Sequence, residues 1–314
     1  LLFLFLLTIG YSSCDFLDIV PDEITTEADA FKDRNAAKNF VYSCYGYLPQ
    51  SNVASGSLDL LTGDEVITAF EHETFASFPK GNYTASSPVI SYWNTFFQGL
   101  RQCYIFLENV DKVPDLTESV KTDYIAQVKF LIAYYHYQLA RCYGPIILIK
   151  ELPDVNASQA EYLPRTSYDE CVDWICNLLD EAASSLPAIR TNKEDYGLAT
   201  SVGAKAVKAK MLLYAASPLF NGNSSFYSNF TDKSGSQLMP LTKTAIKEAI
   251  DLAEQNGHAL YVKQDYKIGN EDANPYPAAG PVRCLRTSLV DWDSRNPEVL
   301  LAETRSEGSY GIQN

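Results

Sequence analysis

The strongest constraint on the fold is a run of apolar residues that recur at alternating steps of three and four in the middle of the chain. The run consists of Ile125, Val128, Ile132, Tyr135, Leu139 and Cys142. These steps place the side chains on one face of an α-helix, which predicts a long amphipathic helix with one stripe turned toward a core. Asp115, followed by Glu118 three residues later, is typical of a helix N-terminal cap, and Gly144-Pro145 ends the run.

Five further segments carry a helical pattern. They are Phe31 to Tyr47, Tyr92 to Val113, the helix opened by Ser167 with its apolar face at Val172, Ile175, Leu179 and Ala182, the segment with Val202, Ala206, Ala209, Leu213 and Ala216, and Thr244 to Asn256. Ala245, Ala249 and Ala253 repeat every four positions, as in the second helix of a tetratricopeptide repeat. We therefore expect an all-α fold, a tetratricopeptide-like superhelix of helix hairpins with long irregular loops, in which the Val202 and Ile125 stripes pack together.

The segments between these helices lack the helical period. A loop of roughly 40 residues runs from Leu48 to Ser91, and a second loop extends about 20 residues on either side of Phe226. From Gly257 to Asn314 the chain becomes a mixture of Pro, Gly, Tyr and Asp, with a short strand predicted at Val299 to Ala302. Because long ordered loops are usually either functional or insertions, these regions are where a binding site is expected.

Charge and motifs narrow the class of function. The 25 Lys and Arg residues against 39 Asp and Glu residues give a net charge of −14, which makes nucleic acid a poor partner. The sequence contains no nucleotide-binding loop, no nucleophile elbow and no metalloprotease motif, so we predict that the protein is not an enzyme and uses no cofactor. His72, His136 and His258 do not pair with cysteines at zinc spacing, so no metal site is predicted, and His136 is interpreted as a hydrogen-bonded packing residue.

The first residues read as part of a secretory signal. Residues 1–9, LLFLFLLTI, are apolar except for one threonine, and Tyr11-Ser12-Ser13-Cys14 follows them. Small residues before a cysteine resemble the processing site of a bacterial lipoprotein, in which Cys14 is the first mature residue and carries lipid. This pattern predicts a partial signal peptide over residues 1–13, a lipid-anchored tail over 14–26 and a helical domain over 27–314. The alternative is an ordinary cysteine after a trimmed signal.

The loops concentrate aromatic residues beside polar ones. An aromatic ring offers a flat apolar surface to the C–H face of a sugar ring, while neighbouring carboxylates, amides or an arginine bind its hydroxyl groups. The candidate glycan-binding residues are Asp64, Glu73, Phe75, Tyr83, Tyr276, Arg283, Asp291 and Trp292. Trp292 is the strongest of them, because its ring is the largest and it lies between Asp291 and Asp293. The alternative for each aromatic is that it attaches its loop to the helical body.

Several motifs together carry a family resemblance. They are Cys14 to Asp18 with Pro21, Thr62 to Glu65, Trp93 to Leu100, Phe106 to Val110, Lys129 to Ile146, Leu163 to Ser167 and Asn296 to Leu300. In this order they resemble the SusD/RagB family, the cell-surface glycan-binding lipoproteins of Bacteroidetes. The most specific of them is Lys129 to Ile146, which is similar to the family segment ending in a Tyr-Gly turn. Ile132 and Cys103 stand where the family usually has Arg and Asn.

The resemblance implies a function and partners. It implies a lipoprotein anchored in the outer membrane and facing outward, which binds oligosaccharide or polysaccharide without catalysis and delivers it to a TonB-dependent transporter of the SusC type. Family members are longer, so the C-terminal part of the family fold is expected to be missing from this sequence. A helical-repeat scaffold that binds peptide or protein in its groove is the alternative.

Overall fold

The computed structural model describes residues 27–49, 74–154, 163–221, 235–260 and 296–301. Six helices of at least twelve residues lie in these ranges: α1 (Arg34–Tyr45), α2 (Trp93–Asn109), α3 (Glu118–Tyr143), α4 (Tyr168–Ser185), α5 (Ser201–Ala216) and α6 (Gly235–Gln255). A single helical turn (Glu27–Ala30) precedes them, and short 3-10 helices occupy Thr74–Ser77, Val110–Lys112 and Lys193–Asp195. This part of the chain has no strand, and the predicted all-α class is confirmed.

Short polar side chains fix where the helices begin. The Ser167 hydroxyl accepts a hydrogen bond from the Glu170 amide at the start of α4, as predicted. The cap predicted for α3 is wrong, since the Thr117 hydroxyl, not the Asp115 carboxylate, accepts the amide of Val120. Asp115 Oδ1 instead accepts the backbone N–H of Arg34 at 2.7 Å. It lies too early in the turn to reach the α3 amides, and it ties that turn to the start of α1.

Each helix packs against the next one in the sequence. α1 contacts α2, and the pairs α2 and α3, α3 and α4, α4 and α5, and α5 and α6 follow in the same way. This serial stacking is the tetratricopeptide-like arrangement expected from the sequence. α3 also contacts α1 and α5, so it lies at the centre of the stack. The predicted packing of α3 against α5 is therefore present, but both helices contact α4 much more extensively than they contact each other.

The predicted stripe of α3 is confirmed but incomplete. Val128, Ile132, Tyr135 and Leu139 are fully buried, whereas Ile125 and Cys142 at its ends are half-buried. Residues on the other faces of the helix, including Phe130, are buried as well. The apolar face of α4 and the alanines of α6 are buried as predicted.

Two details of α5 and α6 differ from the sequence prediction. Leu213 is 51% exposed, because the side of α5 against its neighbours is formed by Val207, Met211 and Ala215. α6 begins at Gly235, nine residues before the predicted Thr244, and continues through Pro240. The Thr242 hydroxyl donates to the carbonyls of Leu238 (2.8 Å) and Leu212 (3.3 Å), and this anchors the early turns to α5 despite the missing proline N–H.

The predicted strand at Val299 is wrong for the residues that the structure describes. Asn296 Oδ1 accepts the backbone N–H of Glu298 at 3.1 Å, which is a typical asparagine turn and not an extended chain. The Pro297 carbonyl accepts the backbone N–H of Ala259 at 3.3 Å. Leu300 lies close to Gly203 at the start of α5. This turn therefore packs beside the end of α6 and the start of α5.

Three of the motifs that carry the family resemblance meet in space. The Arg165 guanidinium carbon lies 5.0 Å from the centre of the Trp93 ring, and Nη1 donates to the carbonyls of Tyr143 (3.2 Å) and Pro145 (3.0 Å). The Tyr143 hydroxyl accepts the backbone N–H of Tyr92 at 2.9 Å. These contacts fasten the start of α2, the end of α3 and the entry to α4, so these motif residues hold the scaffold together.

Candidate functional site

An aromatic pair, the exposed Tyr83 and the half-buried Phe78, lies in the loop before α2. The two ring centres are 5.2 Å apart with their planes at 59°, and the Tyr83 side chain is 51% exposed. The loop turns at Gly81, whose φ of +64° favours glycine. There the Asn82 amide donates to the Ser77 carbonyl and the Gly81 amide to the Phe78 carbonyl, both at 2.9 Å, in the pattern that ends many helices. This turn directs the chain outward just before Tyr83.

The chemistry of the aromatic pair suits a ligand with both apolar and hydroxyl groups. Tyr83 presents a flat face and a polar tip to solvent, and the neighbouring Lys80 and Asn82 are exposed. Thr84 and Ser87 exchange two backbone hydrogen bonds and close the chain beyond Tyr83. The pair therefore lies on a short, internally bonded projection.

Of the predicted glycan-binding residues, Tyr83 and Phe75 lie within the described ranges, and Tyr83 is 51% exposed. Phe75 belongs to the 3-10 helix Thr74–Ser77 in the same loop. The other candidates lie outside the described residues: Asp64, Glu73, Tyr276, Arg283, Asp291 and Trp292, together with the lipidation candidate Cys14. Their convergence on one face remains a prediction.

Sequence reasoning missed a second surface, which we call the tyrosine groove. It has a volume of about 840 Å³ and lies between α1, the first half of α3 and the segment after α4, where Lys38, Tyr42, Tyr124, Asn192 and Asp195 line it. Lys38 Nζ lies 5.5 Å from the centre of the Tyr42 ring, which is a cation–π contact. A hydrogen bond with Tyr42 raises the pKa of Lys38, so its ammonium stays charged. The signal in the sequence is the presence of tyrosines on the outer faces of helices. These tyrosines indicate a groove only when the fold brings the three segments together.

The floor of the tyrosine groove is a closed hydrogen-bond network. Arg190 donates to both carboxylate oxygens of Asp123, at 2.9 and 2.8 Å, and to the Ala199 carbonyl. Gln127 donates to Asp123 at 2.8 Å and accepts from the Tyr45 hydroxyl at 3.0 Å, and that hydroxyl also accepts the Ala199 amide. Burial raises the pKa of Tyr45, so it remains a hydrogen-bond donor. The network joins α1 and α3 to the segment after α4 and gives the groove a rigid base.

His136 is the packing residue that the sequence predicted. Its ring is fully buried, Nδ1 bonds the Ile132 carbonyl at 2.8 Å, and Nε2 accepts the Ile149 amide at 3.1 Å. Within the described ranges, no group of three His, Cys, Asp or Glu residues is placed to hold a metal ion. No helix among those residues is both long and apolar enough to span a bilayer.

Stacked helices with a projecting aromatic loop and a lateral groove define a helical-repeat class of scaffold. The family model SusD-like_3, described as "Starch-binding associating with outer membrane", matches residues 15–213, which is more than half of the chain. The chain belongs to this SusD-like family.

Similar proteins agree with that assignment. SusD-like protein P25 of Formosa agariphila is 22% identical over 224 residues, which are 67% of this chain and 42% of that protein. The solved structure of BT4246 is 32% identical with a TM-score of 0.67, over 75% of this chain and 42% of the other. A solved laminarin binding SusD-like protein is 18% identical with a TM-score of 0.54, over 79% and 51%, and shares the fold. The chain spans less than half the length of the first two.

Proposed function

We propose that this protein binds oligosaccharides at the bacterial cell surface and delivers them to a TonB-dependent transporter of the SusC type. The observation that carries the proposal is the match of residues 15–213 to a family described as starch-binding and associating with the outer membrane. The aromatic pair with its exposed Tyr83 supports it, because a sugar ring that covers the Tyr83 face gains on the order of 1 to 2 kcal/mol. The role is binding without catalysis, as the family description states binding.

The glycan site combines the aromatic pair with Phe75 of the same loop and with residues beyond the described ranges. Trp292, Tyr276 and Phe75 supply further rings, and the polar candidates Asp64, Glu73, Arg283 and Asp291 supply hydroxyl contacts. Several rings are needed, since one stacked sugar gives too little affinity for capture at low concentration. The proposal requires these loops to share one face with Tyr83.

Binding to a glycan panel that includes laminarin and starch oligosaccharides tests the site. Tyr83→Ala and Trp292→Ala should each weaken binding of the cognate glycan at least tenfold, which is about 1.4 kcal/mol, with the Tm nearly unchanged. Tyr124→Ala, which alters the tyrosine groove, is the matched control and should leave glycan affinity unchanged. Loss of folding in Trp292→Ala without separable loss of binding would assign that residue to structure.

The tyrosine groove favours one second candidate, a scaffold that binds an extended peptide or protein segment. Its length along α1 and α3, its tyrosine faces and the charged Lys38 suit a peptide with aromatic and acidic side chains. A glycan panel with no binding, together with peptide binding that Tyr42→Ala and Tyr124→Ala abolish, would replace the leading proposal with this one.

The membrane anchor has its own experiment. We place lipid on Cys14, so metabolic labelling of the native host with a fatty-acid probe should mark the wild type, and Cys14→Ala should release an unlabelled soluble protein. The control Cys284→Ala should retain both the label and the outer-membrane fraction. Absence of label from the wild type would contradict the anchor. Co-purification of a TonB-dependent transporter with the anchored protein tests the delivery role.

A further inference from the structure

The projection that carries the aromatic pair, residues 78–87, is joined to α2 by a short tether. Thr84 and Ser87 exchange two backbone hydrogen bonds at the end of the projection. Only residues 88–91, which begin with a proline of fixed φ, separate Ser87 from Tyr92 at the start of α2. Five extended steps of the backbone span at most about 18 Å. The start of α2 therefore limits where this end of the projection can lie.

The start of α2 is held by a side chain from another helix. A side chain of the preceding residue caps α1, α3, α4 and α5, whereas the Tyr92 side chain forms no capping hydrogen bond to α2. At the end of α3, the Tyr143 hydroxyl accepts the backbone N–H of Tyr92 at 2.9 Å. The Tyr143 ring also contacts the Trp93 ring edge-on, with the centres 5.2 Å apart and the planes at 89°. The end of α3 thus holds the point at which the tether joins the helical body.

Arg165 strengthens this arrangement from a third segment, the entry to α4. Its guanidinium carbon lies 5.0 Å from the centre of the Trp93 ring, which is a cation–π contact. Its Nη1 donates to the carbonyls of Tyr143 at 3.2 Å and Pro145 at 3.0 Å. One planar cation therefore contacts the first ring of α2 and the backbone at the end of α3, and it keeps Tyr143 beside Trp93.

We propose that Arg165, Trp93 and Tyr143, which we call the arginine clamp, position the projection for glycan binding. The consequence for binding rests on the proposed function, whereas the position of the projection does not. A loop that moves freely must be ordered when a sugar covers its aromatic ring, and this ordering weakens binding. The clamp orders the base of the projection before the ligand arrives. Arg165 and Tyr143 are therefore positioning residues that act through Tyr83.

The clamp depends on the shape of its side chains as well as on charge. A lysine at position 165 keeps a positive charge near Trp93, but its ammonium cannot repeat the planar contact and the paired carbonyl bonds. Arg165→Lys should therefore restore only part of what Arg165→Met loses. Tyr143→Phe keeps the ring against Trp93 and removes only the hydroxyl that accepts the Tyr92 amide. It is the milder variant, and it tests the clamp if Arg165→Met does not fold.

A distance measurement tests the position of the projection without any ligand. Spin labels are attached to p-acetylphenylalanine at two exposed positions, Ala85 in the projection and Glu108 near the end of α2, so that the native cysteines stay unlabelled. Double electron–electron resonance should give a narrow distance distribution for the wild type and a wider one for Arg165→Met and Tyr143→Phe. The matched control Arg101→Met, which removes another arginine that donates to a backbone carbonyl at 3.3 Å, should keep the narrow distribution. A wild-type distribution as wide as those of the clamp variants would overturn the proposal.

Glycan affinity tests the consequence for binding. For the laminarin or starch oligosaccharide that the wild type binds, Arg165→Met and Tyr143→Phe should raise the Kd about three- to tenfold, and Arg101→Met should leave it unchanged. Because the clamp acts through Tyr83, Arg165→Met should weaken binding less in a Tyr83→Ala background than in the wild type.

The outcomes separate the clamp from the proposed function. An unchanged Kd in clamp variants whose distance distributions have widened, or an effect of Arg165→Met that is the same with and without Tyr83, would contradict the role of the clamp in binding. A wild type that binds no glycan would contradict the proposed function instead. The distance distributions would still decide whether Arg165 and Tyr143 position the projection.

Discussion

α3 and α6 are both long helices with apolar stripes, yet their surroundings differ. Between Ala126 and Ala140 every residue of α3 except Lys129 and Tyr134 is buried. On α6 the buried positions recur every three or four residues, at Leu238, Thr242, Ala245, Ala249 and Ala253. Ile250 of α6 remains 48% exposed. Among the described residues, α3 is surrounded by other helices, whereas α6 keeps one side exposed.

This difference shows how much of the buried surface of a helix its hydrophobic stripe predicts. A stripe stands out when the opposite face of the helix is polar and solvated, as on α6. α3 has neighbours on several sides, namely α1, α2, α4 and α5, so its stripe marks only part of the surface that it buries. Its buried polar residues, Gln127, His136 and Gln138, lie on faces that the stripe does not predict. Position in the stack, and not helix pattern alone, sets burial.

The largest expected effect is on the free energy of unfolding, and it is seen by replacing one aliphatic residue in each of the two helices. Leu139→Ala removes a fully buried side chain from the centre of α3 and should lower the free energy of unfolding by about 2 to 5 kcal/mol. Ile250→Ala removes an exposed side chain of α6 and should change it by less than about 0.5 kcal/mol. Urea unfolding followed by circular dichroism measures both. Equal losses in the two variants would show that α6 is covered as completely as α3.

Local chemistry explains which parts of the fold the sequence predicts. The start of α4 is predictable because Ser167 and Glu170 act within one turn, and so is the four-residue repeat of alanines on α6. The start of α6 is missed because Pro240 indicates a break, whereas the bond from Thr242 to the Leu212 carbonyl of α5 holds that end in place. Tertiary contacts override a local signal here.

The aromatic pair and the tyrosine groove also differ in how far local sequence indicates them. Tyr83 is found from the sequence because an aromatic beside polar residues in a loop needs no knowledge of the fold. The tyrosine groove is not found, because Tyr42, Tyr124 and Asp195 lie in three distant segments. Arg190 pairs with Asp123 across 67 residues to form its floor. Spacing in the sequence contains no signal for such a contact.

The second expected effect is a pH dependence that belongs to the enclosed helix. His136 is neutral in the fold, since Nδ1–H donates to the Ile132 carbonyl and Nε2 accepts the Ile149 amide, so a second proton would face a donor. Burial lowers the pKa of His136 to about 4. An unfolded histidine has a pKa of about 6.5. The contribution of His136 to the free energy of unfolding is therefore complete above pH 6.5. As the pH falls toward 4, the free energy of unfolding decreases by roughly 3 kcal/mol.

Unfolding free energies measured from pH 7 to pH 4 check this effect. Wild type and His136→Gln share the titration of their carboxylates, so the difference between the two curves isolates the histidine. The wild type should lose more stability than the variant between pH 6.5 and pH 4. Parallel curves would mean that water reaches the ring, and that α3 is less enclosed than its contacts indicate.

The smallest expected effect lies at the end of α6. Gly257 has a φ of +86°, and the His258 and Gly257 amides donate to the carbonyls of Ala253 (3.0 Å) and Glu254 (3.1 Å), which closes the helix. A Cβ on Gly257 would meet no atom within 4 Å, so Gly257→Ala introduces backbone strain alone and should cost about 1 kcal/mol. Gly257→Asn should cost less, because asparagine tolerates this conformation. Urea midpoints measure both, and a loss from Gly257→Ala as large as that from Leu139→Ala would mean that the end of the outer helix is as important to global stability as the centre of the enclosed one.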